Sequence, residues 1–434
     1  MVSSNVEQGP EPRRAEARQR GGGNGQFAER RAWSEATLGA RKHAAEHVVF
    51  LVPGLLGFEN FSTFAYFEDR VVASLRAALE QSWKQPAAVV AVPIPPTASL
   101  RLRQEMLVQT IARRLEALEK ERSEFQHIHL IGHSTGGVDA NLLTDDRALG
   151  DRPWSELDAR APSLIRRIRS VVSIASPHQG ACITRDPVAG FFRDHDPTSL
   201  PEFGSLAAKL LVSSFHDQDL FSNFLGALRG GRTFVHFVGE LLKKWPLLDD
   251  LLPTRSSRLN NPKSDVMRRS FVTIAGRRAD PSATTPDADE FFHQLSERAS
   301  GTRSGCAEQG ELVAASVERL NAAVHTDSAD VPVIMAKGTE LPGPLDAGHN
   351  DGVVNSARQL INPADSKELA GIVVGDHFDV VGYYDRHTWL RDRDGREKYP
   401  QVLSGLLHSG SGFRDDQFFE LYGHVAKVLA EARY

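Results

Sequence analysis

One stretch sets a nucleophile-type side chain between glycines: Gly132-His133-Ser134-Thr135-Gly136-Gly137, directly after the apolar run Ile128-His129-Leu130-Ile131. Glycines two residues to either side of a serine suit a turn too sharp for ordinary side chains, with the hydroxyl projecting above a sheet edge. A helix expected to begin near Val138 would aim free backbone N–H groups at any oxyanion formed there. The chemistry this pattern predicts is acyl transfer through Ser134. A bare Gly-x-Ser-x-Gly match is common by chance. The buried strand before it and the helix after it separate this one from a glycine-rich turn with no chemistry. A serine hydroxyl is a poor nucleophile until a base takes its proton, so a histidine and an orienting carboxylate are required.

The elements that must position these groups are legible as periodicity. His47-Val48-Val49-Phe50-Leu51-Val52 is apolar on both faces, as are Ala88-Val89-Val90-Ala91-Val92, Ile128 to Ile131, Ile168 to Ile174, Phe271-Val272-Thr273-Ile274-Ala275 and Gly371-Ile372-Val373-Val374. Such runs suit central strands of a parallel sheet. Leu107, Ile111, Leu115 and Leu118 form a helix stripe between the second and third runs, and Phe418, Tyr422, Val425 and Leu429 form another. Strands alternating with amphipathic helices indicate an α/β fold, a mostly parallel sheet covered on both faces. The alternation breaks over 185–268 and 277–347, stretches too long for simple connections and read as insertions. Residues 1–46 read as a disordered Arg/Gly-rich tail, which leaves 47–434 as one domain carrying both insertions.

Among sixteen histidines, His377 is best placed as the base. It follows the last apolar run and so lies at the sheet's C-terminal edge, beside Ser134. His349 and His387 compete, but neither directly follows a strongly apolar strand. The ring of His133 is expected to point away from the site, and His178 to line it. For the orienting carboxylate, Asp351 sits in the tight loop Gly348-His349-Asn350-Asp351-Gly352-Val353-Val354, with Asp346 as its rival. Asp376 adjoins His377 and is poorly placed to fold back onto its neighbour's ring.

Four separated motifs carry a family likeness: Leu51-Val52-Pro53-Gly54-Leu55-Leu56-Gly57, Gly132-His133-Ser134-Thr135-Gly136, Ile174-Ala175-Ser176-Pro177-His178-Gln179-Gly180, and Asn350-Asp351-Gly352-Val353-Val354 with Asp376-His377-Phe378-Asp379. By these the chain resembles α/β-hydrolases, and is similar to bacterial triacylglycerol lipases and related esterases. The resemblance implies a Ser134-Asp351-His377 triad in the family's chain order. It implies an oxyanion hole made by the backbone N–H groups of Thr135 and Leu55. The family often has His-Gly where this chain has Pro53-Gly54, a departure that spares the backbone donor. Some family members bind calcium near the histidine, and Asp379 matches one ligand position; with no second carboxylate placed, a structural Asp379 is the better reading. The Phe-rich 185–268 insertion begins where lipase-like proteins carry a lid. Its stripes Leu206, Leu210, Leu211 and Phe221, Leu225, Leu228 suit helices that wall an apolar pocket, fixed or gating.

The expected activity is therefore hydrolysis of carboxylic esters of apolar acyl groups, lipid or small-molecule, through an acyl-enzyme and without a cofactor. An acyltransferase or a polyester-degrading hydrolase would use the same triad, while the related polyester synthases use a cysteine where this chain has Ser134. A non-catalytic hydrolase-fold binding protein is the reading from a different class.

Composition sets the outer bounds. With 434 residues, 41% apolar and 25% charged, the chain is neither collagen-like nor a disulfide scaffold. A net charge of −5 supplies no general attraction for nucleic acid. No run reaches the ~18 apolar residues of a membrane-spanning helix. Residues 1–46 lack a signal-peptide apolar core, so the expected location is the cytoplasm, with export by another route left open. Cys182 and Cys306 fall in no metal-ligand spacing; two buried free thiols are the plainer reading, and a single disulfide is the other.

Overall fold

The apolar runs pair side by side in the computed structural model. It describes residues 47–54, 66–67, 69–95, 98–121, 125–185, 246–253, 265–278, 290–302, 304–325, 331–341, 343–384, 386–391, 397–403 and 409–432. The 1–46 tail, Leu55 and most of the 185–268 insertion, with its Phe and Leu stripes, lie outside the described residues.

Among the described residues seven strands form one sheet: β1 (His47–Val52), β2 (Ala88–Ala91), β3 (His127–His133), β4 (Ile168–Ile174), β5 (Met267–Ile274), β6 (Val333–Ile334) and β7 (Leu369–Val374). Their spatial order is β2-β1-β3-β4-β5-β7-β6, and every pair is parallel. The register aligns Phe50 with Leu130, Ile131 with Val172 and Ile174 with Phe271, so three strands end together where Ser134 begins.

Alternation along β1 shows why the run is apolar on both faces. Val49 and Leu51 point into one core layer, and Val48, Phe50 and Val52 into the other. The first layer is covered by α1 (Asp69–Trp83), through Val71, Leu75, Leu79 and Trp83, together with the C-terminal helix. The second is covered by α2 (Leu100–Glu121), whose Leu107, Ile111 and Leu115 are buried as the stripe predicted. The nucleophile-bearing helix α3 (Thr135–Leu142) is buried along its whole length. Within 277–347, α4 (Glu290–Ser300) and α5 (Val313–His325) precede β6, so part of that stretch joins the main sheet. The C-terminal helix, α6 (Asp415–Glu431), buries Phe418, Tyr422, Val425 and Leu429. Several elements escaped the sequence reading, α1, α4, α5 and β6 among them. The α1 stripe at +4 spacing was legible, whereas β6 has only two residues and leaves no periodic signal. A second ribbon, Arg386–Arg391 against Glu397–Leu403, carries His387.

The free-thiol reading of the cysteines is corrected by the structure. Cys182 and Cys306 are buried and joined in a disulfide, with their Cα atoms 5.7 Å apart. The bond ties the chain leaving β4 to the loop after α4 across 124 positions of sequence. Closing a loop of that length restricts the unfolded chain, and such bonds typically contribute ~2–4 kcal/mol. Cys182→Ser, or reduction with dithiothreitol, should therefore lower the urea midpoint by a margin matching that loss. An unchanged midpoint would show that the bond contributes nothing to stability.

Candidate active site

The serine sits on a left-handed turn between β3 and α3, with Ser134 at φ 55° and ψ −135°. A non-glycine residue in this region costs on the order of 1–3 kcal/mol and persists only where its surroundings enforce it. Here the enforcement is steric. A Cβ on Gly136 would come 2.1 Å from the Val52 carbonyl oxygen, and one on Gly132 would come 2.4 Å from the Gly137 Cα. The helix starts at Thr135, three residues earlier than expected, because the Gly137 amide already bonds the Ser134 carbonyl at 3.0 Å. As the first helical residue, Thr135 has an N–H with no acceptor inside the helix.

The chain passing through β7 delivers His377 to the same sheet edge. Its Nδ1 lies 2.9 Å from Asp351 Oδ2, and its backbone amide bonds the Asp351 carbonyl at 2.9 Å. Asp351 is completely buried and accepts four further hydrogen bonds. The amides of Val353 and Val354 donate to Oδ1 at 3.0 and 2.8 Å, and the Thr273 hydroxyl and Gln359 side-chain amide donate to Oδ2 at 2.5 and 3.3 Å. An acceptor-only carboxylate opposite Nδ1 requires the proton to sit there, which leaves Nε2 as the basic nitrogen. Thr273 and Gln359 were not foreseen. Thr273 did carry a signal, as the one polar residue in the run Phe271 to Ala275.

The rivals are occupied elsewhere. Asp346 is exposed, accepts the amides of Gly348 and His349 and pairs with His349 Nδ1 at 2.8 Å, so both belong to a surface loop. Asp376 accepts the amides of Phe378 and Asp379, and Asp379 accepts the amide of Asp376 in return. Asp379 thus has the structural part of closing the loop that presents His377. Among the described residues no group of three or more His, Cys, Asp or Glu side chains is arranged to hold a metal ion. His178 is buried with no partner for either ring nitrogen among the described residues, and burial pushes its pKa down to about 3.

A second set of buried polar groups lies under the end of β1. A Cβ on Gly54 would come 2.6 Å from Ser134 Cβ and 2.7 Å from the Tyr66 hydroxyl oxygen, so only glycine lets this backbone approach the nucleophile turn. Arg103 on α2 is fully buried, donates to the Pro53 carbonyl at 3.0 Å and pairs with buried Asp139 on α3. Burial raises the Asp139 pKa, and the Arg103 charge opposes that rise. This pair links the Pro53 backbone to the helix that starts after Ser134. The His133 ring, expected to point away from the site, packs 4.7 Å from the His377 ring and bonds Tyr66.

The turn can thus present a hydroxyl, a helix N-terminal amide and a carboxylate-oriented imidazole at one edge of the sheet. Residues 44–195, which run from β1 through the Ser134 turn to beyond β4, match the family model described as PGAP1-like alpha/beta domain. Three solved structures are similar over most of their length. EstA from Clostridium botulinum is 16% identical, covering 91% of this chain and 90% of that one, with a TM-score of 0.44. Lipase 1 from Pelosinus fermentans is 16% identical, covering 89% and 99%, at 0.47. Staphylococcus hyicus lipase is 13% identical, covering 90% and 97%, at 0.41. No curated protein matches the chain in sequence. The chain has the α/β-hydrolase fold.

Proposed function

We propose that the protein is a serine carboxylic-ester hydrolase, an esterase or lipase acting on esters of apolar acyl groups. The observation that carries this reading is the buried Asp351–His377 pair, 2.9 Å apart, at the sheet edge where Ser134 occupies its strained turn. In the reaction, Ser134 Oγ attacks the ester carbonyl while His377 Nε2 takes its proton. Asp351 holds the Nδ1–H tautomer and stabilises the imidazolium. The N–H groups of Thr135 and Leu55 bond the tetrahedral oxyanion. His377 returns the proton to the departing alcohol, leaving Ser134 acylated. Water, deprotonated by the same Nε2, then attacks the acyl-enzyme, and the acid leaves with Ser134 restored.

The preference for apolar acyl groups rests on the Phe- and Leu-rich composition of the 185–268 insertion. Location is read from the disulfide: bonds like Cys182–Cys306 persist where thiols are oxidised, which favours an oxidising compartment over the cytoplasm expected from sequence. Among the described residues no helix is long and apolar enough to cross a membrane.

A fluorophosphonate probe followed by peptide mapping, run beside a chain-length series of p-nitrophenyl esters, tests the reading. The label is expected on Ser134. Each methylene buried in the acyl pocket should raise kcat/KM roughly fourfold until the pocket ends, from ~0.8 kcal/mol per CH₂. A protein that takes no label and cleaves no ester is not this enzyme. Labelling with ester consumed only when an alcohol acceptor is supplied would instead identify an acyltransferase.

A further inference from the structure

His133 has no part in the reaction scheme above, yet it is fully buried among three segments the scheme requires. Its Nε2 lies 2.8 Å from the backbone carbonyl oxygen of His377, which can only accept. The His133 ring must therefore carry its proton on Nε2. That leaves Nδ1 as an acceptor, and the Tyr66 hydroxyl donates to it at 2.7 Å. The Gly54 backbone packs directly against that hydroxyl, since a Cβ there would come 2.7 Å from the Tyr66 oxygen. The hydrogen bonds run one way, from Tyr66 O–H to His133 Nδ1 and from His133 Nε2–H to the His377 carbonyl. Burial holds the His133 ring neutral, with its pKa well below the usual histidine range, so this single tautomer persists.

The chain joins the places where misalignment would matter most. Gly54 lies two residues beyond β1 and directly precedes Leu55 in sequence. His133 immediately precedes Ser134. His377 is gripped at its amide by the Asp351 carbonyl, at Nδ1 by the Asp351 carboxylate and at its own carbonyl by His133. We propose that Tyr66 and His133 are positioning residues of the active site, whose hydrogen-bonded chain holds the His377 loop in register with the Ser134 turn, with Tyr66 packed against the Gly54 backbone. The proposal rests on the ester-hydrolase reading. A displacement of about 1 Å between base and nucleophile costs on the order of 10²-fold in rate.

Tyr66→Phe removes one oxygen and leaves the ring in place. It is expected to lower kcat about tenfold with KM within about twofold, measured well below the melting temperature. His133→Phe breaks both links, and its expected loss is about 10²-fold, again in kcat. The double variant should lose no more than His133→Phe alone, because both substitutions break the same chain. Fluorophosphonate labelling of Ser134 should slow in parallel with kcat. A merely structural role would lower the melting temperature and leave kcat of the folded protein unchanged. Turnover within twofold of the parent in Tyr66→Phe, or losses that multiply in the double variant, would overturn the proposal. If His133→Phe fails to fold, Tyr66→Phe decides alone. The two readings fail in distinguishable ways: a parent that labels and turns over while Tyr66→Phe does so equally fast removes only the positioning role. A parent with neither property removes both.

Discussion

Ser134→Ala is expected to lower kcat on a cleavable ester by about 10⁶-fold, the scale on which serine-triad enzymes respond to loss of the nucleophile. The size follows from the mechanism. Without Oγ no acyl-enzyme forms, and what remains is the electrostatic help of the Thr135 amide and a His377-activated water attacking a bound ester. The fold should survive, because the tight packing that Gly54, Gly132 and Gly136 permit around the φ of 55° does not change. Alanine fills the same space as serine at that position and carries the same backbone cost. Turnover assayed on folded Ser134→Ala, with loss of fluorophosphonate labelling as the control, gives the answer. Near-parental turnover would sink the acyl-enzyme mechanism.

Asp351→Asn should cost about 10⁴-fold in kcat with little change in KM, the scale seen when a triad carboxylate becomes an amide. The hydrogen bonds dictate the direction. Oδ1 accepts the amides of Val353 and Val354, so the asparagine oxygen must stay there. Its NH₂ then takes the Oδ2 position, facing His377 Nδ1, and a donor opposite Nδ1 forces the ring proton onto Nε2. A protonated Nε2 cannot take the proton of Ser134. The Thr273 hydroxyl and Gln359 amide, which now donate to Oδ2, would also face that NH₂, so some stability is lost as well. The kinetic loss is read on the folded fraction. If Asp351→Asn kept most of its activity while Asp346→Asn lost it, the orienting role would pass to Asp346.

How much of this was legible beforehand depended on how local each signal was. Six of the seven strands were visible as apolar runs because a strand buried on both faces cannot hide its composition. β6 was not, since two residues carry no period. The turn at Ser134 was legible because its steric demands fall on Gly132 and Gly136, two positions away. The partners of Asp351 were not: Thr273 lies 78 positions upstream of it, and nothing in local spacing joins them. His133 shows the same limit. The sharp turn suggested a ring pointing away from the site, but the ring packs against His377, and its tautomer is set by a carbonyl 244 positions later and a tyrosine 67 positions earlier. The disulfide was misjudged for the same reason, because the proximity of two cysteines 124 positions apart is a property of packing.

By itself, the amino-acid sequence determined the class of fold and the residue types of the candidate site. Burial periodicity and glycine sterics act over a few residues and leave their record in local order. Only the tertiary structure decided which carboxylate faces His377, which Cys182–Cys306 state the protein adopts, and how Tyr66, His133 and His377 join in one chain. Those choices turn on hydrogen-bond geometry between distant segments, and parallel strands bring such segments together only once the sheet is assembled.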